Sequence, residues 1–228
     1  MEKKELPKKK SDLKEKPVAR VSGKLKWLSN KALDIIKLIL GVCFLPFVYS
    51  SSVAFLTQIS RIDGSLQNYF WVGSFTLLII YLFIWEPAVI YDKGHKLLEV
   101  VFNFFEPLVK VAPYLLPIYS IVLFILYLIL ALFIKEAWLL EWTMFLFGAS
   151  LSLHLIFSSK SIRSKKGDLL QSNYIFGFSF VYIITIGLFA FFLSVIFKDF
   201  SFVRFSNDAY SLSGDIFKTI FSQLFVVK

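Results

Sequence analysis

The chain has 228 residues, 57% of them hydrophobic and 18% aromatic, with a mean hydropathy of +0.70. That is more apolar surface than one soluble core of this length can bury, so lipid is the expected solvent and a soluble enzyme domain is excluded. The net charge of +9 does not point to nucleic acid, because the basic residues cluster beside apolar runs, where membrane orientation signals sit.

From the N-terminus, residues 1–22 mix many lysines with Glu2, Glu5, Asp12 and Glu15 and carry Pro7 and Pro17, the composition of a disordered basic cytoplasmic tail. Such a tail attracts anionic lipid headgroups and also fixes topology. Gly23 to Lys37 alternates Leu25, Leu28, Leu33 and Ile36 with lysines, which predicts an amphipathic lead-in at the interface, anchored by Trp27.

Five uninterrupted apolar runs follow: residues 38–56, 69–90, 112–134, 137–157 and 174–197. Each is near the ~20 residues a helix needs to cross a bilayer, and none alternates as a barrel strand would. The fold class is therefore an all-α integral membrane protein with about five transmembrane helices and flanking interfacial helices. The polytopic domain covers 23–200. Lysines and arginines precede the first run and follow the second and fourth, which places the N-terminus in the cytoplasm and the C-terminus outside. Residues 201–228 form an outer-face segment in which Ile216, Phe217, Ile220, Phe221, Leu224 and Phe225 recur at helical spacing after Ser213. Its apolar face would lie on lipid or dock on a partner. The single cysteine, Cys43, excludes an intramolecular disulfide.

Ionisable residues in or near the runs are few, and each needs a reason. Glu86 and His154 sit near the cytoplasmic ends of the second and fourth runs, and Glu141 near the outer end of the fourth. His95 and Glu99 are four residues apart and share a helix face. His154 and Asp168 come to the same membrane level, so His95, Glu99, His154 and Asp168 are the candidate metal ligands. Polar residues at a cytoplasmic edge share that level for simpler reasons as well.

Gly94-His95-Lys96-Leu97-Leu98-Glu99 resembles a degenerate Gly-His-Glu-x-x-His helix of the site-2-protease-like intramembrane zinc metalloproteases. Ala112-Pro113-Tyr114 through Tyr119, Ser152-Leu153-His154-Leu155 and Gly167-Asp168-Leu169 add to the resemblance, which spans roughly residues 69–197. It implies a bacterial inner-membrane protein in which His95 matches the first zinc ligand and Glu99 stands where the second histidine belongs. Lys96 stands in place of the general-base glutamate, and an ammonium cannot take a proton from metal-bound water. The resemblance thus implies the frame without the activity: no cofactor is expected, zinc being the one that a residual site would take.

Three functions follow as expectations. The first is a non-catalytic subunit that binds a membrane partner or its own kind, with Gly148, Ala149, Ser150 and Ser152 allowing close helix approach. The second is a small transporter or channel subunit, with Pro46 and Ser50, Ser51 and Ser52 along a path. The third is a residual metal-dependent membrane hydrolase built on His95, Glu99 and His154 or Asp168.

Overall fold

The computed structural model describes residues 12–101, 103, 114–164 and 174–225. All regular elements among these are helical. In chain order they are α1 (Asp12–Ile59), α2 (Gly64–Ile79), α3 (Ala88–Val101), α4 (Ile118–Leu130), α5 (Ala137–Ser164), α6 (Tyr174–Ile196) and α7 (Phe202–Phe225). Four stretches are long and apolar enough to cross a membrane: Ile35–Ile59, Gly64–Ile84, Ala137–Arg163 and Tyr174–Ile196.

Among the described residues, α1 begins at Asp12 and continues without a break into the first span. Once the apolar span has nucleated a helix, adding residues at its end costs little. A short turn over Ser60–Asp63 joins α1 to α2, and the Asp63 carboxylate caps α2 by accepting from the Ser65 and Leu66 amides at 2.9 and 3.4 Å. This is the turn end of the bundle. The ends of α4 and α6 and the starts of α5 and α7 gather there too.

The second apolar run does not reach residue 90 as one helix. The helix α2 widens into a π turn over Ile80–Ile84, closed by the Trp85 amide on the Ile80 carbonyl at 2.9 Å, and then breaks at Trp85-Glu86-Pro87. Pro87 lacks an amide hydrogen and cannot continue the ladder. The break releases α3, which turns back into the bundle.

The third run also departs from expectation. Its helix, α4, has 13 residues, about 20 Å, against a hydrocarbon core of about 30 Å. Pro117 starts it, and Tyr114 to Pro117 supply the remaining length toward the far end. The Tyr114 carbonyl accepts from Ser158 of α5, and Ser120 bonds Ser150 at 2.8 Å, so α4 is antiparallel to α5.

Helices α2 and α5 run parallel: Phe70 lies at Gly148, Ser74 bonds Ser152 at 2.6 Å, Tyr81 meets Phe157, and Glu86 pairs with Lys160. A methyl on Gly148 would collide with the Phe70 carbonyl, and one on Gly73 with the Phe145 carbonyl. Of the small residues expected to admit another helix, Gly148 and Ser152 admit α2 and Ser150 admits α4, both of the same chain. Glu141, at the turn end of this seam, lies near Tyr69. On the other side, α6 is antiparallel to α5 and parallel to α1, where Gly41 lets the Phe176 backbone approach and Ser52 bonds Tyr182 at 2.7 Å. Between them lies an aromatic core in which Phe147 and Phe189 are fully buried and Phe124 stacks on Phe192 at 4.5 Å.

The C-terminal segment, expected to stay on the outer face, begins at the turn end and then returns along α1. Gln58 donates to Asp208 at 3.2 Å near the start of α7, and Phe217 lies against Phe47 with ring centroids 5.7 Å apart. Phe47 is the midpoint of the span Ile35–Ile59. A buried stripe that includes Phe205 and Ser213 holds α7 against the bundle.

Candidate functional site

The helix that carries the metal-like motif packs at the far half of the bundle. On α3, Tyr91, Gly94 and Leu98 recur at helical spacing and are buried, and this face lies against α4 and α5. At Gly94 any side chain would press on Ile118 and Tyr119, the nearest atoms being 2.7 and 2.8 Å from a Cβ, so the glycine sets how close α3 comes. The Tyr119 hydroxyl donates to the Ile90 carbonyl and ties α4 to the start of α3.

This packing brings His95 and His154 to one small cavity, lined also by Tyr91, Pro117, Tyr119 and Ser150. His95 makes an edge contact with the Tyr114 ring, centroids 5.1 Å apart, and its Nε2 is 3.5 Å from a Glu99 carboxylate oxygen on the next turn. His154 is 5% exposed, with Ser158 Oγ 3.5 Å from its ring nitrogens. Ser158 donates to the Tyr114 carbonyl at 3.3 Å, which leaves its oxygen to accept from Tyr91 at 3.3 Å. Burial pushes the Tyr91 pKa up, offset in part by its bonds to Ser158 and Ser161, so the phenol is a neutral donor.

Of the four candidate ligands, His95, Glu99 and His154 thus lie near the same cavity, while Asp168 falls outside the described residues. Lys96 is exposed and does not line the cavity. The free space is about 10 Å³ for the centre of a water-sized sphere, room for one water and far below a substrate pocket. A catalytic zinc needs three protein ligands and an open position, and no group of three metal-ligating side chains occurs among the described residues.

Tyr91 and Ser158 were not singled out from the sequence, and Tyr114 and Tyr119 entered only within the run that resembles a protease; together these four make most of the polar contacts here. The signal for Tyr91 was its spacing of four from His95 on the same apolar face. Glu86 and Lys160 form an exposed ion pair across the break, which accounts for Glu86 at the end of the second span.

No family model matches the chain, and neither the curated proteins nor the solved structures contain a match.

Proposed function

We propose that this chain is a non-catalytic polytopic membrane protein, with a frame resembling an intramembrane metalloprotease that has lost its active site, and that it acts as a partner-binding subunit of a membrane complex. The observation that carries the proposal is the small cavity joining His95 to His154, which has room for one water and is lined by Tyr91, Tyr119 and Pro117. A protease must admit a peptide bond and hold a base beside activated water. Here Lys96 occupies the position of the base, is exposed and does not line the cavity. The histidines then serve packing: His95 sits among Tyr91, Tyr114 and Glu99, and His154 beside Ser158.

In this reading the basic N-terminal segment stays in the cytoplasm of a bacterial cell, the turn end faces out, and lysines near the headgroups hold anionic lipid. Metal analysis of detergent-purified protein, run beside His95→Ala, tests the lost active site. The proposal expects no stoichiometric zinc or other transition metal in either sample. One equivalent of metal in the parent, lost in the variant, would overturn it and restore the hydrolase.

A transporter or channel subunit is the second reading. It is favoured by the two interruptions at the far half, at Trp85-Glu86-Pro87 and at Leu116-Pro117, since broken helices line many transport sites. Solute or ion flux through liposomes carrying the purified chain would support it, and tight liposomes would remove it.

A further inference from the structure

Helix α7 combines features that do not suit a helix facing lipid alone. Arg204, Asn207, Ser211, Asp215, Lys218 and Ser222 are separated by three or four residues, 3.6 on average, so they form one straight polar stripe. All six are exposed. A second face, with Phe205 and Ser213, is buried, and a third presents Tyr210, Phe221 and Leu224 at 79%, 64% and 70% exposure. The apolar third face suits lipid.

Depth makes the stripe a problem. Phe217 lies beside Phe47, twelve residues and about 18 Å from the end of the span at Ile59. Asp215 and Lys218 flank Phe217, so both charges stand near the middle of a core about 30 Å thick. They are 3.7 Å apart, and their side chains are 67% and 82% exposed. Charges at that depth are costly against hydrocarbon and are found facing a protein interior or a water-filled space.

Resting on the partner-binding reading above, we propose that the polar stripe of α7 is a self-association surface and that its occupant is the same stripe on a second copy of this chain. Charge complementarity selects this partner: within the membrane depth the stripe carries one acid and one base, one turn apart. Copies inserted by the same route share their orientation, so the axis relating them lies along the membrane normal and sets equal levels side by side. Lys218 of each copy then stands about 4.5 Å along the axis from the other copy's Asp215 level, within reach of a lysine side chain. Ser211 and Ser222 are small enough for close approach and supply hydroxyls for bonds between helices. The same chemistry already joins α2 to α5 through Ser74 and Ser152.

The test uses full-length protein in native membranes, with Cys43→Ala as the background. Ser211→Cys and Ser222→Cys report the stripe, and Phe221→Cys reports the lipid face. Mild oxidation is expected to give a disulfide dimer of the chain at Ser211→Cys and Ser222→Cys, at least tenfold more than at Phe221→Cys. Asp215→Lys is expected to cut the Ser211→Cys dimer at least fivefold, and coexpression with Lys218→Asp to restore it, a rescue that misfolding would not produce. A Ser211→Cys product linked only to a different protein would overturn the second-copy proposal and leave partner binding standing. Full labelling of Ser211→Cys by a membrane-impermeant maleimide, with no protein linked to it, would overturn both and point to a water-lined path.

Discussion

The seam between α2 and α5 and the outer side of α7 carry the same kind of chemistry with opposite outcomes. In the seam, Gly73 and Gly148 admit a neighbouring backbone and the Ser74 hydroxyl finds Ser152, so polar and small residues are used up within the chain. On α7, serines and a charge pair repeat with the same helical period but remain exposed. The comparison teaches that regular small or polar residues mark a helix contact, and only the fold shows whether that contact is internal. Under the partner-binding proposal, contact with another chain is expected on the surface of α7 rather than at the small cavity beside His95.

The contrast breaks most sharply on large aromatic residues. Phe147→Ala removes a fully buried ring from the aromatic core and should cost about 3–5 kcal/mol. Phe221→Ala trims an exposed ring and should lie within about 0.5 kcal/mol of the parent. Unfolding in mixed micelles with increasing SDS, followed by circular dichroism, measures both. Equal losses would mean that α7 is packed as tightly as the core.

Next in size are two glycines in neighbouring helices. Gly148→Ala places a methyl in the Phe70 carbonyl and should cost about 1–3 kcal/mol by forcing α2 away from α5. Gly187→Ala adds its methyl to open space and should be neutral or stabilising, since alanine is the better helix former. Thermal melts in one detergent compare them directly. A third comparison is a double-mutant cycle on Ser74→Ala and Ser152→Ala, where a coupling of about 0.6 kcal/mol is expected for one hydroxyl bridge between helices. The smallest effect belongs to Glu86→Gln: its ion pair with Lys160 is exposed, and melts of the variant and parent should coincide.

Much of the frame was legible because apolar length is a direct physical demand of the bilayer. The span read as 174–197 is Tyr174–Ile196, and those read as 38–56 and 137–157 extend to Ile35–Ile59 and Ala137–Arg163. The breaks were harder. Pro87 and Pro117 were visible, yet hydropathy averages across a proline and reports a continuous run where the backbone has lost a hydrogen bond. The amphipathic pattern of α7 was also visible, but periodicity shows that a helix has two faces without showing which neighbour covers either. In the structure Phe205 and Ser213 bind the helix to the bundle, and Asp215 and Lys218 are carried inward with it. At the site, the i, i+4 spacing of His95 and Glu99 held as geometry. Its surroundings were not legible, because Tyr114 and Ser158 meet there through tertiary packing across 44 residues of sequence.

The placement of α7 at membrane depth supports the self-association surface and is open to direct test. In the Cys43→Ala background, Phe47→Cys and Phe217→Cys are introduced together and the chain is treated in intact membranes with a short, membrane-permeant bis-methanethiosulfonate, which spans side chains too far apart for a direct disulfide, beside Ser52→Cys with Tyr182→Cys as the control for α1 against α6. An intramolecular crosslink is expected in both pairs. A control that links while Phe47→Cys and Phe217→Cys do not would place α7 away from the middle of α1 and contradict its placement at membrane depth.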